Sequence, residues 1–121
     1  MAKILIADDD SDTRKVLRRF LRSLALETLE AEDGVEALEL ARASRPDIVL
    51  LDIFMPEKDG VEVLKELAPV MPEAGFIMIT GNEDEVLACK CLEYGAIDYI
   101  SKPINLEALG GIIKARLLLR K

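Results

Sequence analysis

The chain has 121 residues, of which 50% are hydrophobic and 32% are charged, and its formal net charge at pH 7 is −7. This length accommodates about one domain of the usual size, and the composition is typical of a folded protein. The absence of histidine excludes Ser-His-Asp and Cys-His catalysis, His-ligated zinc or haem, and a phosphohistidine of its own. The acidic balance argues against binding to nucleic acid.

The apolar stretches fall well short of the roughly 20 residues that cross a bilayer, and the N-terminus lacks a signal-peptide core. We therefore expect a soluble, cytoplasmic protein that binds neither membranes nor nucleic acid. Cys89 and Cys91 are separated by one residue, a spacing that fits neither a CxxC redox site nor a four-ligand zinc site. Both are expected to be reduced thiols in a helix.

Five short apolar runs at nearly regular spacing predict β-strands at residues 4–7, 28–31, 48–51, 76–79 and 97–100. Stretches with apolar residues at helical spacing lie between these runs. The alternation predicts an α/β fold, a doubly wound parallel sheet with helices on both faces. The second run includes polar residues, so it is expected to be an edge strand.

Residues suited to helix ends appear in the same order along the chain. Asp10 or Ser11 can cap the first helix, and Gly95 suits the left-handed position that ends the fourth. The other predicted helix starts are at Asp33-Gly34, at Asp59-Gly60 and within residues 82–85. Residues 1–121 contain no linker or repeat and are expected to form one domain.

Polar residues stand where the predicted strands end. They are Asp8, Asp9 and Asp10 after the first run, Asp52 after the third, Thr80 after the fourth, and Ser101, Lys102 and Pro103 after the fifth. The carboxyl ends of parallel strands lie at one edge of such a sheet, where these folds bind ligands. We therefore expect these side chains to share one crevice.

Carboxylates in one crevice repel one another by about 1 to 4 kcal/mol per pair at about 4 Å, so a positive partner is required. Lys102 supplies one charge, and an oxygen-only ligand set favours Mg²⁺, with Mn²⁺ as a substitute. A calcium loop starting at Asp8 is disfavoured because Thr13 and Arg19 stand where Gly and Glu are needed. A metal, an amine and a hydroxyl around Asp52 are the parts needed to place a phosphoryl group on that carboxylate.

Five motifs in order resemble the receiver domains of bacterial two-component response regulators, chemotaxis-regulator-like ones in particular, over about residues 3–117. The motifs are Asp8-Asp9, residues 51–60 (LDIFMPEKDG), Thr80-Gly81, residues 95–99 (GAIDY) and Lys102-Pro103. The resemblance implies the flavodoxin-like strand order 2-1-3-4-5 with five helices, an order for which this family is a standard example. It also implies that the chain is no enzyme beyond its own phosphorylation and slow autodephosphorylation.

The resemblance implies roles for the acidic residues. Asp52 resembles the acceptor of a phosphoryl group from a phosphohistidine, carried by a histidine kinase or a histidine phosphotransfer protein. Asp9 and Asp52 resemble direct Mg²⁺ ligands, together with the backbone carbonyl of Phe54. Asp8 resembles a ligand that acts through water.

Other roles are implied in the same way. Lys102 resembles the amine that pairs with Asp52, and its peptide bond to Pro103 is expected to be cis. Thr80 and Tyr99 resemble the hydroxyl and the aromatic ring that move together on phosphorylation. The surface of the fourth helix, fifth strand and fifth helix would then bind a downstream protein whose identity the sequence does not give.

Access to the phosphoryl group is expected to depend on Phe54, Gly81 and Asn82. Phe54 is bulky and lies two residues after Asp52, on the route that water would take in the family. We predict slow loss of phosphate from this chain.

Several positions depart from the family pattern, and the last helix has more apolar residues than packing against the core requires. Ala25 stands where Gly often ends the first helix, so either the turn differs or a left-handed Ala costs roughly 1 kcal/mol. Gly110-Gly111 falls inside the last predicted helix and would soften it or allow close approach by a partner. Leucines at 117–119 cover too much of that helix for one core stripe, which indicates either a homodimer or partner contact through the last helix or a loosely packed terminus.

Alternatives remain at several levels. Thr80 could simply cap a helix, Tyr99 could be plain core, and the stripe of Leu87, Cys91 and Tyr94 is expected to be core packing. A haloacid-dehalogenase-like phosphohydrolase or a flavodoxin-like binding module would be the rival functions. The chain stops about where a receiver domain stops, so we expect either a stand-alone signal carrier or a receiver from a larger regulator or hybrid kinase.

Overall fold

A computed structural model describes residues 1–81 and 84–119, in which strands and helices alternate. In chain order they are β1 (Lys3–Ala7), α1 (Ser11–Ser23), β2 (Glu27–Ala31), α2 (Gly34–Ser44), β3 (Ile48–Asp52), α3 (Gly60–Leu67), β4 (Gly75–Thr80), α4 (Glu85–Glu93), β5 (Ala96–Ser101) and α5 (Leu106–Leu119). The five strands form one sheet in the order β2-β1-β3-β4-β5, and every pairing is parallel. The predicted fold class and strand order are confirmed.

The core consists of two layers, one on each face of the sheet. On one face, Leu17 and Leu21 of α1 and Ile113 of α5 pack against β-strand residues such as Ile6 and Leu50. On the other face, α2, α3 and α4 pack against the alternate strand residues. Successive side chains of a strand point to opposite faces, so strands buried on both sides are apolar throughout, as β3 is.

The two edge strands, β2 and β5, are less buried than the three strands between them. The prediction of an edge strand at residues 28–31 is confirmed, because β2 pairs with β1 alone in the sheet. Its polar residues lie along this edge, and Glu30 is one of them.

Aspartates cap four helices, each accepting hydrogen bonds from backbone amides of the first turn. The capping residues are Asp10, Asp33, Asp59 and Asp84. Asp10, rather than Ser11, caps α1 through the amide of Asp12 at 3.1 Å. The predicted start of the fourth helix included Asn82 and Glu83, which lie outside the described residues.

Two residues after helices have left-handed backbone conformations that the sequence indicated. Ala25 has a φ of 62°, so the left-handed alternative for the turn after α1 holds. Gly95 has a φ of 111° and follows α4. Only Gly adopts such a conformation without a steric cost, so the turn at Ala25 is strained by comparison.

The first residue of the glycine pair in α5 has an explanation within the chain. A Cβ on Gly110 would lie 3.0 Å from the ring of Phe20 in α1, whereas nothing lies within 4 Å of one on Gly111. Gly110 therefore lets α1 and α5 pack closely, and no partner is needed to account for it.

The predicted core stripe on α4 is correct for part of its length. Cys91 is buried and Leu87 packs against the core, but Tyr94 is 36% exposed and its ring lies under the Lys65 ammonium at 4.5 Å. The core assignment of Tyr94 was wrong because it follows the last turn of α4, where the ring reaches α3. Cys89 and Cys91 are free thiols in α4, as predicted.

None of the helices in the described ranges combines the length and the apolar character that a membrane span requires.

Candidate functional site

Strand ends place the candidate residues at one edge of the sheet. Asp8 and Asp9 directly follow β1, Asp52 and Thr80 are the last residues of β3 and β4, and Lys102 directly follows β5. The backbone amide of Lys102 donates to the carbonyl of Thr80 at 2.7 Å, which fixes the chain after β5 beside the end of β4. The expected crevice therefore forms, with polar groups from four strands.

Three carboxylates form its acidic side. Asp8, Asp9 and Asp52 each offer an oxygen that lies within 4.8 Å of the other two. Asp8 and Asp52 are only 2% and 5% exposed, whereas Asp9 is exposed. Three negative charges at this separation are unfavourable unless cations compensate them.

Lys102 brings the positive charge that the sequence indicated. Its ammonium lies 3.1 Å from Asp8 Oδ2 and 3.6 Å from Asp52 Oδ2. The following peptide bond, from Lys102 to Pro103, is cis. One ammonium cannot neutralise three carboxylates, so the crevice keeps an excess of negative charge.

Burial and the neighbouring charges shift the pKa values of Asp52 and Lys102. Burial, and then the negative charge of Asp8, raise the pKa of Asp52 from an ordinary 3.8 to about 6, although Lys102 opposes the change. Burial would lower the pKa of Lys102, but its hydrogen bonds and charge interactions with Asp8 and Asp52 outweigh burial and hold that pKa above its usual value. Lys102 is therefore charged at neutral pH.

The oxygen ligands suit a small, hard divalent cation. Asp8 Oδ2 is buried, and among the described residues its polar neighbour is the Lys102 ammonium. This oxygen therefore has a lone pair available for a cation or a water molecule. Asp52 Oδ1 accepts a hydrogen bond from the amide of Phe54 at 3.3 Å, which orients the carboxylate from the side of its own loop. Carboxylates with room for water are the ligand set that Mg²⁺ takes in proteins, so the residues fit that ion.

Comparison with known families agrees with this arrangement. A family model described as "Response regulator receiver domain" matches residues 4–114. The chain belongs to the response regulator receiver family. The five strands and the acidic crevice at their carboxyl ends are thus those of a receiver domain, and the resemblance seen in the sequence is confirmed.

Individual relatives support the assignment. The receiver domain is 39% identical over 119 residues to "Response regulator MprA" of Mycobacterium sp. (strain KMS), covering 98% of this chain and 51% of the relative. It is similar to the "response regulator receiver domain protein (CheY-like)" of Methanospirillum hungatei JF-1, with 30% identity, a TM-score of 0.92 and coverage of 97% and 94% of the two chains. It is also similar to a chain of the "CheX-CheY-BeF3-Mg+2 complex" of Borrelia burgdorferi, with 31% identity, a TM-score of 0.90 and coverage of 96% and 89%. The chain spans about half the length of the curated relatives of the MprA type.

Thr80 and Tyr99 of the receiver domain are connected. Thr80 is fully buried, and its side chain hydrogen-bonds with that of Tyr99, a half-buried residue of β5. Burial, and then the nearby Cys91, raise the pKa of the Tyr99 hydroxyl, so it stays protonated at neutral pH. The hydroxyl of Thr80 is therefore linked to an aromatic ring on the fifth strand.

The residues expected to govern access differ in size and exposure. Phe54 is 54% exposed, and a Cβ added to Gly81 would have no atom within 4 Å. Asn82 lies outside the described residues. Among the described residues, therefore, no atom crowds the position of a side chain at Gly81, and Phe54 follows the strand end that carries Asp52.

The structure adds one residue that the sequence did not single out. Arg14 of α1 donates from Nη1 to the backbone carbonyl of Asp8 at 2.7 Å, and its Nε lies 3.3 Å from Glu30 of β2. A basic residue near the start of a helix is common on a solvated surface, so no pattern in the sequence distinguished it.

Proposed function

We propose that the receiver domain accepts a phosphoryl group on Asp52 from a phosphohistidine of a histidine kinase or a histidine phosphotransfer protein. An Asp52 oxygen forms the new bond to phosphorus while the phosphorus–nitrogen bond of the donor breaks, and the electron pair stays on the donor imidazole. The observation that carries the proposal is the buried Asp52 carboxylate, which faces the Lys102 ammonium and lies within 4.8 Å of two further carboxylates.

Mg²⁺ is the cation that we propose for the site, with Mn²⁺ as a substitute. Asp9, Asp52 and the backbone carbonyl of Phe54 would hold it directly, and Asp8 would hold it through water. When bound, the ion supplies positive charge to the phosphoryl oxygens as negative charge gathers on them. Lys102 pairs with Asp52 before the reaction and with a phosphoryl oxygen afterwards.

The output would be a change in the surface of α4, β5 and α5. A phosphoryl group adds about 1.5 to 2 negative charges and three acceptor oxygens beside Thr80. The Thr80 hydroxyl is then drawn towards it, which breaks the hydrogen bond with Tyr99 and lets the ring turn inward. A downstream protein would recognise the altered surface, and the chain would catalyse nothing beyond its own phosphorylation and slow dephosphorylation.

Phosphorylation by acetyl phosphate and Mg²⁺, followed by measurement of the intact mass, tests the acceptor. One stable phosphoryl adduct is expected for the natural sequence and none for Asp52→Asn, which keeps the size of the side chain. Asp12→Asn is the matched control, since Asp12 is an exposed carboxylate in the first turn of α1. Continuous release of phosphate would indicate a phosphohydrolase instead, and no reaction would indicate a binding module.

A homodimer through α5 is a second proposal, on independent grounds. Leu118 and Leu119 of this helix are 84% and 79% exposed, beside a groove that Leu24, Leu26 and Leu117 help to line. Exposed apolar side chains next to an apolar groove are typical of a contact surface. Sedimentation with and without beryllofluoride tests it: Leu118→Lys should abolish any dimer, whereas Val70→Lys, at another exposed apolar residue, should not.

A further inference from the structure

The backbone of Asp8 is held from outside its own loop in both of its peptide groups, the one before it and the one that joins it to Asp9. The amide of Asp8 donates to the carbonyl of Ala31 in β2 at 3.1 Å, and the carbonyl of Asp8 accepts from Arg14 Nη1 at 2.7 Å. The Asp8 side chain is fixed as well, because its Oδ1 accepts from the amide of Asp10 at 2.9 Å. The orientation of the peptide group between Asp8 and Asp9 sets the position from which the Asp9 side chain extends.

Arg14 is itself positioned by the edge strand. Its Nε lies 3.3 Å from Oε1 of Glu30, and Nη1 of Arg18 lies 2.7 Å from the other oxygen of the same carboxylate. Glu30 is therefore shared by two arginines of α1. Only 14% of the Arg14 side chain is exposed, against 31% for Arg18, so Arg14 is the better shielded of the pair. A guanidinium can donate in two directions from one rigid plane, which a lysine cannot do.

We propose that Arg14 is a positioning residue for the divalent cation, an inference that rests on the proposed function of the acidic crevice. It fixes the Asp8–Asp9 peptide, and thereby the carboxylates of Asp8 and Asp9, in the arrangement that the ion requires. Glu30 orients the guanidinium, so β2 takes part in holding the site although it contributes no ligand.

The charge of Arg14 and its hydrogen bond to Asp8 have opposite effects on cation affinity, so the positioning role can be tested. The positive charge of Arg14 repels a divalent cation, so its removal alone would strengthen binding. Loss of the hydrogen bond to the Asp8 carbonyl would loosen the ligands and weaken binding, as loss of an outer hydrogen bond does at other metal sites. The sign of the change in affinity therefore separates the two effects.

The experiment measures the Mg²⁺ dissociation constant of the unphosphorylated chain from backbone amide NMR shifts, at constant ionic strength. Arg14→Gln removes the positive charge, and Arg14→Lys keeps the charge but removes the planar guanidinium group with its two sets of donors. Both are expected to bind Mg²⁺ roughly tenfold more weakly than the natural sequence. Arg18→Gln is the matched control, because Arg18 shares Glu30 but makes no bond to Asp8; its affinity should change by less than about twofold.

The outcomes are distinct. Tighter binding by Arg14→Gln, or an unchanged affinity of Arg14→Lys, overturns the positioning role and leaves the cation site in place. Equal weakening in the Arg18→Gln control overturns it too, since the effect would then come from the surface of α1 in general. If the natural sequence shows no saturable Mg²⁺ binding, the proposed cation fails and the positioning role fails with it. Urea unfolding of each variant shows that the comparison is made between folded proteins.

Discussion

Gly60, the first residue of α3, packs directly against the backbone of Asp52. A Cβ on Gly60 would collide with the Asp52 carbonyl oxygen and lie 2.9 Å from the Cα of Ile53. The Gly60 amide also donates to the carbonyl of Ile53 at 2.8 Å. The start of α3 and the end of β3 therefore hold each other in place, and the proposed phosphoacceptor lies at their junction.

Gly60→Ala should destabilise the protein by about 1 to 3 kcal/mol, because the atoms it meets belong to backbone and cannot rotate away. Phosphorylation by acetyl phosphate should also slow, since the end of β3 has to shift. Gly111→Ala is the control, as nothing lies within 4 Å of a Cβ there and Ala favours a helix over Gly by about 1 kcal/mol. Urea unfolding measures both; a Gly60→Ala protein as stable as the natural one would contradict the packing described.

The raised pKa of Asp52 predicts how stability depends on pH in metal-free buffer. The folded-state pKa is about 6 and the ordinary value 3.8, so the folded protein binds the proton more tightly than the unfolded chain. The stabilisation from this group is complete below about pH 4 and is lost as pH rises through 6. Asp52→Asn, which is never charged, should exceed the natural sequence in stability by about 2 to 3 kcal/mol at pH 8.

The control is the comparison of Asp52→Asn with the natural sequence at pH 4. At pH 4 the folded protein holds Asp52 protonated and therefore uncharged, like Asn, so the stability difference should shrink towards zero there. A difference that is constant between pH 4 and pH 8, measured by urea unfolding with chelator present, would mean that Asp52 does not titrate in this range.

Lys102→Ala should raise the pKa of Asp52 further above 6. The ammonium at 3.6 Å is the stronger of the two groups that favour the ionised carboxylate, and its loss leaves only the Phe54 amide to oppose burial and the charge of Asp8. A ¹³C NMR titration of the aspartate carboxyl carbons measures the change. Lys114→Ala, at an exposed position of α5, should leave the titration as it was; a fall in the Asp52 pKa in Lys102→Ala would refute the pairing.

Phe54→Asn should shorten the lifetime of the phosphoryl group by about threefold or more, because a small polar side chain admits and orients water where a ring excludes it. The decay of the phosphorylated mass after removal of acetyl phosphate measures the lifetime. Val70→Asn, which also replaces an exposed apolar side chain, should decay like the natural sequence. An unchanged or longer lifetime in Phe54→Asn would leave the ring without a shielding role.

The apolar runs predicted the five parallel strands, the edge position of β2 and the acidic residues that meet Lys102. These features follow from local signals: apolar runs place the strands, and parallel pairing brings residues that end different strands to one edge. The family resemblance then added the strand order. It also suggested roles for Thr80 and Tyr99, which geometry alone would not separate from a cap and a core residue. Their side chains are hydrogen-bonded to each other, which is consistent with a coupled role.

Features that depend on how two elements pack were outside the reach of the sequence. The hydrogen bond from Arg14 to Asp8 and the ion pair with Glu30 require α1 to pack beside β2 at one particular position along the strand. Tyr94 continues the apolar pattern of α4 but lies past its last turn, where the ring meets Lys65 instead of the core. The fit of Phe20 against Gly110 likewise appears only once α1 and α5 are placed.

Two thiols two positions apart on one helix differ in what a reagent can reach. Cys89 is exposed and Cys91 buried, and burial also raises the pKa of the Cys91 thiol, which leaves it with little reactive thiolate. A maleimide dye would therefore label α4 at one place without any substitution. Its fluorescence would report whether this helix changes its surroundings when a donor and a divalent salt are added, in real time and with the natural sequence.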